Sequence, residues 1–365
     1  MICPALRLRA SSAAVDLTIP ESVLAHYRDF TGRPHRPFGA GLINSTFLVE
    51  GLRGPAIVQR LHPVFAGVVN EDIDAVTAHL ERKGLVTPRP IRTDEGALWV
   101  DDERGRPWRA LTFVEGRSVE RVESAAMARE GGALVARFHA AVADLEYDYR
   151  HVRVGVHDTE KHLATLRRAL SERADHRLFP EVEALARPLL SEAERLPDFA
   201  SMGLGPRHCH GDLKISNLLF RGDEGLCLVD LDTLSQMLWP FEMGDAMRSW
   251  CNPRGEDETR GAFDAGLFEA ALAGYGSVAR PAGLLSREEA RSIVGGVLTI
   301  CLELSARFLA DALNETYFGF DASRYAARGE HNLVRGAGQW RLYESVAEQR
   351  AVLERAAERA LAGAA

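Results

Sequence analysis

Cysteine is scarce in this 365-residue chain: Cys3, Cys209, Cys227, Cys251 and Cys301 are an odd number with no C-x-x-C pair. That usage excludes a disulfide framework and predicts reduced thiols, as in a cytoplasm. His208 and His210 flank Cys209, but alternate residues of an extended segment point to opposite sides. No second ligand pair stands at finger spacing either, which argues against a zinc motif. Long apolar runs are missing too. None approaches the roughly 18 residues of a membrane span, and the richest, 293–302, stops at Glu303. The opening MICPALRLRASSAAVDL has no continuous apolar stretch of the signal-peptide kind. A soluble, unexported cytoplasmic protein is expected. Positive charge is in deficit as well: 44 Lys and Arg against 52 Asp and Glu give a net charge of −8. This argues against nucleic-acid or membrane partners and confines any phosphate site to a local basic cleft. Low-complexity tracts and internal repeats are absent.

What is present divides along the chain. The length suits two domains or two lobes of one. Residues 45–50 (STFLVE) and 56–61 (AIVQRL) are β-rich and flank GLRGP, which predicts a hairpin. The 70–83 segment places Ile73, Val76 and Leu80 on one helical face, and Gly84 stops it. Further strands are expected at 97–100 and 108–114. Beyond Gly116 the pattern becomes helical: Met127, Leu134, Val135, Phe138 and Val142 recur at helical spacing. Helices are expected at 159–172, 181–196, 241–249, 261–274 and 287–313, the last opened by a Ser286/Glu289 capping box. A final helix is expected over 340–361. A β-rich island, 208–233, interrupts the series. The expected architecture is α+β: a small antiparallel β-rich lobe over 1–115, a larger helical lobe over 116–365, and a cleft.

The island carries the chemistry. HCHGDLKISNLLF, from His208 to Phe220, is followed by LVDLDT. A core strand has little use for His210, Asp212, Lys214 and Asn217 within eight residues; a loop that handles charge does. Phosphoryl transfer needs positioning and charge neutralisation more than covalent help. Asp212 is the candidate base for an attacking hydroxyl. Asn217 and Asp230 offer oxygen ligands of the type that suits Mg²⁺, and Lys214 can neutralise a departing phosphoryl group.

H-G-D-x-K-x-x-N followed by an apolar pair and D-x-D resembles the aminoglycoside phosphotransferase and choline kinase superfamily, relatives of the protein kinases. The stretch VDLDTLSQMLWPFEMGDAMRSWCN is similar to that of N-acetylhexosamine 1-kinases. So are GAGLINSTFLV, IVQRLHPVF, ARFLADALNETYF and HNLVRGAGQWRL, spanning roughly 35–345. The resemblance implies a protein-kinase-like two-lobed fold, ATP and Mg²⁺ as cofactors, and a small-molecule acceptor, in that subgroup the C1 hydroxyl of GlcNAc or GalNAc.

It also implies roles residue by residue. Gly39 and Gly41 would form a turn over the nucleotide phosphates. Arg60, where the pattern has lysine, would reach those phosphates with Glu71 as its ion-pair partner; arginine is bulkier than lysine there. Phe113 and Val114 would bind adenine through the backbone. His210 would brace the catalytic loop, and Asp245 and Arg248 would anchor it. Asp232 would touch metal or sugar, or else cap a turn. Arg307, whose i,i+4 neighbour Asp311 also allows a plain salt bridge, and Tyr317 would contact the sugar. Rivals keep the fold but change the acceptor to another sugar, homoserine, an amino alcohol or an aminoglycoside. Acidic residues around the acceptor would favour a cationic one, and a mix of Arg, Asn and Tyr a neutral sugar. A nucleotide-binding pseudokinase and a metal-dependent hydrolase remain as other classes, although no base or metal ligand is missing.

Overall fold

A computed structural model describes residues 18–39, 44–152 and 155–362. The architecture is α+β, as expected, and the chain divides into two compact units. One comprises Met1–Asn70 and Arg89–Phe113, the other Glu71–Pro88 and Val114–Ala365.

The smaller unit holds a short helix, α1 (Glu21–Leu24), and six strands: β1 (His35–Pro37), β2 (Ser45–Gly51), β3 (Gly54–Arg60), β4 (Pro90–Ile91), β5 (Val100–Asp101) and β6 (Pro107–Thr112). They form one antiparallel sheet, ordered β1-β2-β3-β6-β4 with β5 also on β6. The β2–β3 hairpin has the register Gly51↔Gly54, which leaves Leu52 and Arg53 as the turn. Period-two alternation sends Phe47, Val49, Ala56, Val58, Trp108 and Ala110 to one face. There they pack with Ile19, Val23, Leu24, Tyr27 and Phe30 around α1. The 97–100 strand forms only from Val100, and Asp102 closes the turn after it by accepting the N–H groups of Arg104 and Arg106.

The larger unit takes most of α2 (Val69–Arg82). The sequence assigned this helix to the first 115 residues, and its anchors explain the difference. His79 Nε2 lies 2.8 Å from the Ala141 carbonyl. Buried Asp72 accepts from the Tyr147 hydroxyl (2.8 Å) and from the N–H groups of Arg150 and His151. The remaining helices are α3 (Ala125–Val142), α4 (Thr159–Glu172), α5 (Phe179–Ala193), α6 (Trp239–Trp250), α7 (Ala265–Ala279), α8 (Arg287–Asn314), α9 (Arg328–Glu348) and α10 (Arg350–Ala357). The island supplies β7 (Pro206–Cys209), β8 (Leu218–Arg221), β9 (Glu224–Leu228) and β10 (Ser235–Leu238), in two separate antiparallel pairs, β7 with β10 and β8 with β9.

The long helix α8 opens on the expected capping box, with Ser286 and Glu289 bonded reciprocally. It is long and apolar enough to cross a membrane, yet 89% of its most apolar window is buried inside the protein. It is a core helix, flanked by α6 and α9. The last helix begins earlier than expected and breaks at Gln349. Gly329, Gly336 and Gly338 lower the helix propensity of its first half, but packing requires them. A Cβ on Gly338 would sit 2.1 Å from the Glu258 carbonyl oxygen, and one on Gly336 2.8 Å from Leu309.

Candidate active site

The two β pairs of the larger unit hold two loops, His210–Asn217 and Val229–Leu234, against each other. His210 is buried, with Nε2 2.9 Å from the Val229 carbonyl, so that nitrogen carries the proton. Its Nδ1 then accepts the Asp212 N–H at 3.3 Å. Val229 N–H donates to the Asn217 carbonyl, and the Thr233 hydroxyl to the His210 carbonyl at 2.8 Å. Two further side-chain bonds fix the backbone: Trp250 Nε1 donates to Leu213 O (2.7 Å), and Ser249 Oγ accepts from Ile215 N (3.1 Å). Leu213, Ile215 and Leu218 are buried between these bonds. The loop is held by polar and apolar contacts alike.

Within this frame Asp212, Lys214, Asn217 and Asp230 converge. Lys214 Nζ lies 2.7 Å from Asp212 Oδ2 and 4.0 Å from Asp230 Oδ2. Burial alone would raise the Asp212 pKa. The Lys214 ammonium, through its charge and its hydrogen bond, outweighs it and holds the carboxyl below its usual range. The same two carboxylates raise Lys214 against its own desolvation. Asn217 Nδ2 donates to the Asp212 carbonyl at 2.8 Å, which orients Oδ1 as the amide's acceptor. Asp230 adopts the left-handed region (φ 62°, ψ 57°), tolerable for aspartate, and its side chain keeps 36% of its exposure. An amide oxygen and a part-exposed carboxylate beside an ammonium suit a hard divalent cation carrying phosphate, and not a soft one. Asp232 is buried.

The expected anchor of the loop lies elsewhere. Asp245 pairs with Arg248 (2.8 Å), which also reaches Glu256 (3.2 Å). The carboxylate that accepts backbone N–H groups is Glu242, one turn earlier on α6, from His210 (2.8 Å) and Gly211 (2.9 Å). Sequence reasoning missed it; the signal was a second acid three residues before Asp245, one helical turn away. Among the described residues His139, Cys209 and Glu242 form a buried trio with ligand atoms within 4.8 Å of one another. Both Glu242 oxygens are engaged by backbone donors, and burial pushes the Cys209 thiol up, so it stays protonated. This is a poor metal set.

Other expected residues are scattered. Gly39 has φ 77° and Gly41 lies outside the described residues. Arg60 donates to Ser45 Oγ at 2.8 Å and by register opposes Trp108, on the sheet face that packs around α1. Gln59 and Arg109 share the opposite face, where buried Arg109 bonds Gln59 Oε1 (2.7 Å) and Asn70 Oδ1 (3.3 Å). Glu71 is exposed in the first turn of α2. Phe113, half-buried, meets Phe38 edge to face at 5.9 Å, and Val114 is likewise half-buried. Arg307 stacks over the Phe318 ring (5.5 Å). Asp311 is buried and takes the N–H groups of Thr316, Tyr317 and Phe318 together with Asn332 Nδ2, which accounts for its place without a surface salt bridge. Tyr317 is 58% exposed.

The chain is similar to known proteins in sequence and in fold. The family described as "Phosphotransferase enzyme family" (APH) matches residues 34–280. A homoserine kinase of Mesorhizobium japonicum is 30% identical over 280 residues, covering 73% of this chain and 77% of its own. One from Methylobacterium nodulans is 29% identical over 297 residues, covering 76% and 79%. Among solved structures, an aminoglycoside phosphotransferase from Alicyclobacillus acidocaldarius aligns with a TM-score of 0.61 at 17% identity, covering 93% of this chain and 97% of that one. A microcompartment-associated aminopropanol kinase aligns at 0.57 and 16% identity, covering 92% and 97%. At such identities the likeness is one of fold, and the fold is protein-kinase-like.

Proposed function

We propose that this chain, which belongs to the phosphotransferase enzyme family, transfers the terminal phosphoryl group of ATP to the hydroxyl of homoserine or a closely similar hydroxy amino acid. It is an ATP-dependent small-molecule kinase with an alcohol as acceptor; the proposal concerns the acceptor and the residues.

In the proposed mechanism the acceptor oxygen bonds to the γ-phosphorus as the bond to the β–γ bridging oxygen breaks, and ADP leaves. Asp212 accepts the hydroxyl proton. Its lowered pKa keeps it ionised at neutral pH, adequate for a loose transition state in which the proton moves late. Asn217 Oδ1 and Asp230 would hold Mg²⁺, which when bound neutralises phosphate charge. Lys214 turns from Asp212 to a phosphate oxygen as the phosphoryl group moves, and that release makes Asp212 more basic when a base is needed. Arg60 and Arg109 are the small unit's candidates for phosphate contact, one on each face of the sheet. The observation that carries the reading is the convergence of Lys214 on Asp212 and Asp230.

One thing supports the acceptor: the curated relatives quoted above are homoserine kinases over about three quarters of both chains. A second reading, the anomeric hydroxyl of an N-acetylhexosamine, draws support from the resemblance around 230–252 and 306–318, with Arg307 and Tyr317 as its contacts. An ADP-release screen over homoserine, GlcNAc, GalNAc, ethanolamine, choline and kanamycin separates the readings, with phosphorus NMR of the product. Homoserine should give the highest kcat/KM. Faster turnover of GlcNAc or GalNAc would replace the first reading by the second.

A further inference from the structure

Behind Glu242 lies a line of buried polar groups that the mechanism does not use. Trp239 Nε1 donates to the Tyr275 hydroxyl at 2.8 Å. That hydroxyl lies 2.8 Å from His139 Nδ1, and His139 Nε2 faces Glu242 Oε1 at 3.5 Å. Trp239, Tyr275 and Glu242 are 0–1% exposed and His139 is 3% exposed. Indole N–H can only donate, so the Tyr275 oxygen is an acceptor there and its own hydrogen points to Nδ1. With Nδ1 accepting, the His139 proton sits on Nε2 and points at the carboxylate. At 3.5 Å this contact is one of dipole with charge, and Nε2 has no other hydrogen-bond partner. A second proton on His139 would set two donors on the Tyr275 oxygen and strand the hydroxyl hydrogen. The line therefore runs one way.

The helices that carry it cannot drift apart. A Cβ on Gly132 would come 2.0 Å from the Ala271 carbonyl oxygen, and one on Gly274 1.8 Å from that of Arg129, so α3 and α7 meet backbone to backbone. A buried carboxylate is costly unless every neighbour supports it. Glu242 has two backbone donors on the loop side and the His139 N–H behind.

We propose that Trp239, Tyr275 and His139 form a donor chain that holds the Glu242 carboxylate onto the His210 and Gly211 amides, so that His139 and Tyr275 are positioning residues for Asp212. The inference rests on Asp212 being the base. Without the chain, Glu242 loses its rear partner, its grip on the two amides loosens, and Asp212 samples unproductive positions. Substrate sites are untouched, so turnover should suffer and affinity should not.

The test uses the full-length protein, with amide exchange across 208–214, the Kd of MgATP, and kcat with whichever acceptor the screen identifies. Tyr275→Phe removes one hydroxyl and no ring. It should lower kcat about tenfold and speed exchange of the His210 and Gly211 amides several-fold, with both KM values and the MgATP Kd within about twofold. His139→Gln keeps an N–H near the place of Nε2 and should retain about fivefold more kcat than His139→Leu. Exchange and kcat within twofold of wild type in Tyr275→Phe would overturn the proposal, as would equal kcat in folded His139→Gln and His139→Leu. If His139→Leu does not fold, Tyr275→Phe decides. Failure of Asp212 as base appears separately, as activity retained in Asp212→Asn, while amide exchange still reports on the chain.

Discussion

Gly211 stands between the base and the loop that carries Asp230, and its replacement by alanine tests how tightly the two loops must meet. Its φ of +85° is costly for any residue with a Cβ, by roughly 1–2 kcal/mol. A Cβ would also lie 2.3 Å from the Thr233 carbonyl oxygen and 3.1 Å from the Thr233 Cβ. The carbonyl must retreat by about 1 Å, and overpacking of that kind costs roughly 1–3 kcal/mol. The sum is about 2–5 kcal/mol, or a Tm lower by roughly 4–20 °C for a unit of this size. The displacement falls on the Val229–Leu234 loop, whose Thr233 hydroxyl bonds the His210 carbonyl. A shift near 1 Å there should cost kcat about a hundredfold. Gly203→Ala is the control: its φ is +67° and nothing lies within 4 Å of its would-be Cβ. It should show the backbone cost alone, roughly 1–2 kcal/mol, with kcat unchanged. Thermal melts and steady-state kinetics on the two variants decide the matter. Equal Tm values, together with Gly211→Ala activity within threefold of wild type, would refute the reasoning.

Three further outcomes are expected. Asp212→Asn should cut kcat by at least about a hundredfold while calorimetry finds MgATP affinity within threefold of wild type; turnover near wild type would remove Asp212 as base. Lys214→Met should move the acid limb of the kcat/KM profile to higher pH. Lys214 stabilises ionised Asp212, so its loss raises the carboxyl's pKa and the base is protonated sooner as pH falls; a limb that stayed put would count against the pairing. Asp230→Ala should abolish the Mg²⁺-dependence of nucleotide binding, and titrations with and without Mg²⁺ that matched wild type would exclude it as a ligand.

Much of the island was legible because its chemistry is local. His210, Asp212, Lys214 and Asn217 lie within one loop, and their spacing alone suggests a shared task. The amphipathic helices were legible for the same reason, their period being fixed over a few turns. Glu242 was not legible. Asp245 and Glu242 lie three residues apart on one helix, and only the tertiary path of the loop decides which of them meets the amides. His139 was hidden within an apolar face, where a histidine is usually a satisfied core residue. Arg60 and Gln59 differ by one position, yet pleating sends them to opposite faces. That choice depends on the register with Trp108 and Arg109, which no local pattern encodes.

The burial of α8 has a consequence for how the chain is made. Most of its side chains, from Ala290 to Leu313, end up enclosed, and α9, which covers one side, is translated after it. At cellular elongation rates a few seconds separate the two. In that interval a helix as apolar as a membrane span protrudes from the nascent protein with no partner on that side. Premature termination between 314 and 328 would make the exposure permanent. Changes in the glycine-rich start of α9 that delay its docking would prolong this exposure without altering a single active-site contact.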